Sequence, residues 1–244
     1  MKTKIYAHRG ASAYAPENTL EAFKLAAEMG ADGVELDVQM TKDGQIVVIH
    51  DEKIDRTSNG SGFVKDYTLK ELKEFDFSNN MEGFTSHIPT LLEVFEVLKP
   101  YDMDINIELK TGIFFYPIEE KVVALVEKNY DKNKILYSSF NHESVLKIKN
   151  YDKDAYLGFL YADGILDVVN YAKKYEVMAL HPALYNIQYD GYLKECREKN
   201  IDINVWTVNE EKYMLMCLES GVTSIITNYP DVAINVREKY INVK

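Results

Sequence analysis

The sequence predicts an α/β fold, a TIM (β/α)8 barrel with a small insertion after the second strand. Three observations carry the prediction. Apolar, β-rich runs alternate with helix-period stretches along most of the chain, the signature of a parallel sheet covered by helices. The chain has 244 residues, close to the length of about 250 typical of such barrels. A hairpin signal at Asp43-Gly44 accounts for a ninth strand candidate that a closed eight-stranded barrel has no room for.

Taken in order, the first strand is 5–8 and the first helix 20–29, with Asn18 and Glu21 at capping-box spacing before it. Strand 33–39 follows. If Asp43 and Gly44 are the two turn residues, Lys42 faces Gln45, segment 46–50 folds back antiparallel, and His50 lies across from Asp37. The segment from about 53 to 88 breaks the rhythm, with the loop Ser58-Asn59-Gly60-Ser61-Gly62 and a short helix at 69–75; it reads as an insertion in the second βα loop. Its aromatic residues Phe63, Tyr67, Phe75, Phe77 and Phe84 suit either an apolar groove or a packed small subdomain. Thr90 and Glu93 have capping-box spacing at the start of helix 91–98. Strands at 104–109, 135–138, 155–160, 177–181, 201–206 and 224–227 then alternate with helices at 118–129, 143–149, 165–175, 191–199, 210–219 and 232–239. No linker or internal repeat interrupts them, so 1–244 is expected to be one barrel domain with an insertion at about 53–88.

The balance of 28 Lys plus Arg against 39 Asp plus Glu gives a formal charge of −11. That argues against a nucleic-acid partner, which needs clustered cations to displace counterions, and disfavours anionic membrane surfaces. No apolar run approaches the roughly 20 residues that span a bilayer, so stable membrane insertion is not expected. The apolar piece after Met1 is too short for a signal peptide. Cys196 and Cys217, isolated in expected helices, suit a reducing compartment, and the expected location is cytoplasmic. Nothing in the sequence sets an oligomeric state.

Chemistry in such a barrel is built at the C-terminal ends of the strands. Those ends carry His8-Arg9, Glu35 and Asp37, Asn106 with Glu108 and Lys110, Ser138-Ser139-Phe140, His181, Trp206 and Thr227-Asn228. Glu35 and Asp37 share one strand face, as do Glu108 and Lys110. Three carboxylates in a barrel mouth cannot all ionise cheaply without a cation. Oxygen-only ligands suit one divalent cation, Mg²⁺ or Ca²⁺, and the absence of a Cys cluster or His pair disfavours zinc. His8 and His50 flank the expected metal and suit general acid–base work near neutrality. Arg9 and Lys110 supply fixed positive charge suited to a phosphoryl group. Each residue also has a plainer reading: His181 as a structural histidine, Glu35 or Glu108 as half of a salt bridge, Trp206 as core, Glu17 and Arg56 as loop organisers, and Asn18 as a helix cap, which is favoured. Their concentration at one end of one barrel is what argues for a site.

The residues fall in strings that closely resemble the glycerophosphodiester phosphodiesterase family: His8-Arg9-Gly10, Pro16-Glu17-Asn18-Thr19, Glu35-Leu36-Asp37-Val38, His50-Asp51, Arg56-Thr57, Ile88-Pro89-Thr90-Leu91, Ile107-Glu108-Leu109-Lys110, Ser139-Phe140, Trp206-Thr207-Val208-Asn209 and Ile226-Thr227-Asn228 with Pro230. The ordered set covers nearly the whole chain. The resemblance implies a metal-dependent TIM-barrel hydrolase that releases sn-glycerol 3-phosphate and an alcohol from small glycerophosphodiesters. It implies Glu35, Asp37 and Glu108 as metal ligands, His8 and His50 as the acid–base pair, and Arg9 and Lys110 as phosphate contacts. Phe140 and Trp206 would line the pocket near the glycerol. Thr223-Ser224 stands where the family usually has an acidic residue and a Gly, a departure expected to have a small structural effect.

Overall fold

The computed structural model describes residues 2–112 and 117–243. Its strands are β1 (Lys4–His8), β2 (Gly33–Met40), β3 (Ile46–Val48), β4 (Asp104–Leu109), β5 (Ile135–Ser139), β6 (Tyr156–Tyr161), β7 (Ala179–Pro182), β8 (Asp202–Val205) and β9 (Ser224–Thr227). Parallel pairing runs from β1 through β2, β4, β5, β6, β7, β8 and β9, and β9 pairs back with β1, so eight strands close a barrel. The helices that follow are α1 (Leu20–Glu28), α2 (Leu69–Leu72), α3 (Leu91–Leu98), α4 (Ile118–Asn129), α5 (His142–Ile148), α6 (Val168–Lys174), α7 (Tyr192–Glu198), α8 (Glu211–Ser220) and α9 (Pro230–Val243). No described helix is long and apolar enough to cross a membrane.

Alternation along the strands explains why carboxylates interrupt buried runs. Val34, Leu36 and Val38 of β2 and Ile105, Ile107 and Leu109 of β4 join the main apolar core. The intervening Glu35, Asp37, Asn106 and Glu108 are buried on the opposite face, toward the barrel interior. Further along, the Thr223-Ser224 departure is absorbed by hydrogen bonding: Thr223 Oγ1 donates to Asp202 and Ser224 Oγ to Asn204.

The β2–β3 hairpin is antiparallel as expected, but its register differs by one residue. Val38 pairs with Val48 and Gln39 with Val47, so Ile49, not His50, lies across from Asp37. The cause is a three-residue turn. Thr41 N donates to Gln45 O and Gly44 N back to Thr41 O, and Gly44 takes a left-handed φ of 78°, the geometry of a hairpin with a glycine bulge. β3 ends at Val48, and His50 reaches the mouth from the bend beyond it.

The segment after β3 folds around its own apolar cluster of Val47, Ile49, Ile54, Val64, Leu72, Phe77 and Ile88, with Tyr67 and Phe75 packed against it. The Tyr67 and Phe75 rings meet edge to face at 5.6 Å. Tyr67, Phe75 and Phe77 therefore pack into this cluster, while Phe63 lies under the Lys53 ammonium at 4.9 Å. The short helix stops at Leu72, earlier than its apolar spacing predicts. Thr90 caps α3 in a full capping box with Glu93. Asn18 does not cap α1. Thr19 does, accepting from Ala22 N, while Asn18 is turned into the left-handed region at φ 57°.

Candidate active site

One oxygen from each of Glu35, Asp37 and Glu108 lies within 4.8 Å of the others. β2 and β4 are adjacent with Asp37 in register with Glu108, so strand pairing alone brings the three together. Burial, then the charges of Asp37 and Glu108, raises the Glu35 carboxyl well above its usual range. Burial likewise raises Glu108, although Lys110 counteracts it. Burial opposes ionisation of Asp37 too, but Arg9, Lys110, His50 and the Asn18 amide outweigh it and hold this carboxyl well below the usual range. Asp37 Oδ1 is buried without a hydrogen-bond partner among the described residues. An orphaned anionic oxygen in an all-carboxylate set fits a hard divalent cation.

The cations approach from two strand ends. Arg9 has a left-handed φ of 57°, which lets its N–H donate to both Glu35 O and Glu35 Oε2. Its Nε lies 3.4 Å from Asp37 Oδ2 and its Nη1 donates to Glu17 at 2.9 Å. Gly10 follows because no side chain fits there: a Cβ would come within 2.6 Å of the Ala22 backbone in α1. Lys110 Nζ donates to Glu108 Oε1 at 2.8 Å and stands 3.8 Å from Asp37 Oδ1 and 3.2 Å from His50 Nε2.

Each histidine is held through Nδ1. His8 Nδ1 is 2.7 Å from the Asn228 amide oxygen; with that oxygen as acceptor, Nδ1 carries the proton. The Nε2 lone pair then points toward the carboxylates, 3.8 Å from Glu35 Oε2. Burial and the neighbouring Arg9 charge push His8 down to about 4. His50 Nδ1 lies 2.6 Å from Asp51 Oδ1. Burial works against the Asp51 charge, yet hydrogen bonds from Arg56 and His50 hold it down to about 2.

The opposite wall is apolar. The Phe140 and Trp206 rings pack edge to face at 5.5 Å, and Trp206 Nε1 donates to the His181 carbonyl at 2.7 Å. Leu160 and Ile226 complete this side. Of the nine residues that the sequence nominates, seven line one cavity: His8, Arg9, Glu35, His50, Glu108, Phe140 and Trp206. Asp37 and Lys110 stand beside it through their contacts with Arg9 and Glu108. Asn106 also lines the cavity. His181 is fully buried, bonded to Asn204, as the plainer reading has it.

Three neighbours gain roles that sequence reasoning did not assign. Asn18, expected as a helix cap, instead donates Nδ2 to Asp37 Oδ2 at 2.9 Å; the adjacent Thr19, itself a competent cap, was the available signal. Asn228 holds His8, and its signal was that barrel closure puts the end of β9 beside β1. Asp51 holds His50 from the next position in the chain.

Residues 8–232 match the glycerophosphoryl diester phosphodiesterase family. A glycerophosphodiester phosphodiesterase of Caldanaerobacter subterraneus is 43% identical over 244 residues, covering 98% of this chain and 99% of the relative. One from Bacillus altitudinis is also 43% identical, with 97% and 99% covered. Among solved structures, an Oleispira antarctica phosphodiesterase in complex with the product sn-glycerol-3-phosphate superposes with a TM-score of 0.86 at 27% identity, covering 96% of each chain. The glycerophosphodiester phosphodiesterase of Thermotoga maritima gives 0.80 at 30% identity, with 97% of this chain and 99% of that one covered. The agreement extends from whole-chain architecture to sequence, and the chain belongs to the glycerophosphoryl diester phosphodiesterase family.

Proposed function

We propose that this barrel domain, with its insertion at about 53–88, hydrolyses glycerophosphodiesters to sn-glycerol 3-phosphate and an alcohol, with one divalent cation and with His8 and His50 as general acid and base. The observation that carries the reading is the convergence of three buried carboxylates, two histidines and two cations around one cavity. The product held by the Oleispira relative is the one this chain is proposed to release.

Glu35, Asp37 and Glu108 would hold the ion, Mg²⁺ or Ca²⁺. When bound, it supplies Lewis acidity that neutralises charge developing on the phosphoryl group. Arg9 and Lys110 add fixed positive charge beside the same group, positioned before the reaction by Glu17, Asp37 and Glu108. Each histidine presents Nε2 toward the site because Nδ1 is engaged by Asn228 or Asp51. One takes a proton from the nucleophile, either water or the substrate's own 2-hydroxyl with water then opening the cyclic phosphate, and the other gives a proton to the departing alcohol oxygen. Phe140 and Trp206 offer an apolar face to the glycerol carbons.

A coupled assay for sn-glycerol 3-phosphate release from glycerophosphocholine tests the reading. Release that disappears in both His8→Ala and His50→Ala is expected. Near-wild-type kcat in both variants would falsify the acid–base assignment.

A further inference from the structure

We propose that Arg56 is a positioning residue that ties the proton-transfer arm of the site to its phosphate-contact arm; the proposal rests on the phosphodiesterase reading above. Arg56 comes from the insertion and does not itself line the cavity. Its guanidinium instead binds two carboxylates, each of which holds a site residue. Nε and Nη2 donate to Asp51 at 2.7 and 3.2 Å, and Nη1 and Nη2 donate to Glu17 at 2.7 and 2.9 Å.

The sharing is specific at the level of atoms. Asp51 Oδ1 accepts from both Arg56 Nη2 and His50 Nδ1. Glu17 Oε1 accepts from both Arg56 Nη2 and Arg9 Nη1. A single guanidinium nitrogen therefore bridges the oxygen that orients His50 and the oxygen that orients Arg9. Planar, forked donors can meet both carboxylates at once, whereas a lysine ammonium offers one compact charge and no fork. Without the bridge, Asp51 and Glu17 face each other as like charges with their site partners alone to hold them.

The link is separable from the stability of the insertion. The Arg56 side chain is 44% exposed, where an ion pair contributes little to folding. Its neighbourhood is held by other means: Ile54 is buried in the insertion's apolar cluster, Ile54 N donates to Gly62 O, and Ser58 N to Ile54 O.

Arg56→Ala and Arg56→Lys, compared with the wild-type chain, test the proposal. A misplacement of both arms is expected to lower kcat/KM by on the order of 100-fold in Arg56→Ala, with Arg56→Lys recovering little of it and the melting midpoint nearly unchanged. Added guanidinium ion restores activity to Arg56→Ala but not to His50→Ala. Independently of activity, the imidazole ¹⁵N spectrum of the five histidines shows His50 as a single Nδ1-protonated form in the wild type and a tautomer mixture in Arg56→Ala. Wild-type kcat/KM in either variant, a His50 signal unchanged by Arg56→Ala, or a loss of activity matched by loss of folded protein each overturns the proposal. A wild-type chain that cleaves no glycerophosphodiester removes the phosphodiesterase reading instead, and the nitrogen spectrum still decides whether the link exists.

Discussion

The mouth of the barrel has two unlike halves. Around β1, β2, β4 and the insertion, the ionisable side chains of the site are each held by a polar neighbour: Arg9 by Glu17, Asp37 by Asn18, Lys110 by Glu108, His50 by Asp51. Around β5, β6, β8 and β9 the wall is Phe140, Leu160, Trp206 and Ile226, an apolar surface in which the Phe140 and Trp206 rings pack edge to face. The first half fixes where charge sits, and the second gives a surface against which a small apolar group can rest. A reaction that moves charge on a phosphate should depend on the first half for rate and on the second for affinity.

The largest break in that comparison is expected from the carboxylates. Glu35→Gln or Glu108→Gln should lower kcat/KM by on the order of 1000-fold, about 4 kcal/mol of transition-state stabilisation, as read by the release assay. On the other wall, Phe140→Ala or Trp206→Ala should raise KM by about tenfold, roughly 1–2 kcal/mol of lost apolar contact, and leave kcat within a fewfold. A large kcat loss from Phe140→Ala with KM unchanged would erase the division between the halves.

Smaller effects sharpen it. Thr19→Ala removes the cap of α1 and should cost about 1 kcal/mol in a denaturant melt with little change in kcat. Asn18→Ala should do the reverse, because its amide serves Asp37 and not the helix. The smallest effect concerns acid stability. The Asp51 carboxyl sits at about 2 in the fold, below its ordinary 3.8. A depressed folded value contributes stability that is present above the unfolded value and lost as pH falls through the folded one. Between pH 4 and 2 the wild type should therefore lose about 1 kcal/mol relative to Asp51→Asn, after discounting for solvent screening. Parallel unfolding free energies across that window, with no convergence of the two proteins, would contradict the assignment.

Most of the barrel was legible because strand–helix alternation and side-chain alternation are both period signals. Glu35, Asp37 and Glu108 stood out as charges in otherwise apolar strands, and adjacency of β2 and β4 placed them together. The hairpin register was less legible because Asp43-Gly44 suits a two-residue or a three-residue turn, and Thr41 decided it by accepting from Gln45 N. Asn18 and Thr19 were both competent caps, and local propensity does not see that Asp37 needs a donor from across the barrel. Asn228 and Arg56 act through contacts 220 and 39 residues away in sequence, which no window of periodicity reaches.

The most direct test of the central claim is a calorimetric titration of Mg²⁺ and of Ca²⁺ into EDTA-treated protein, with sn-glycerol 3-phosphate release followed on the same samples. One ion per chain should bind, activity should return in proportion to its occupancy, and Glu108→Gln should lose both together. Full activity in EDTA, or undiminished ion binding by Glu108→Gln, would show that Glu35, Asp37 and Glu108 are not the metal site.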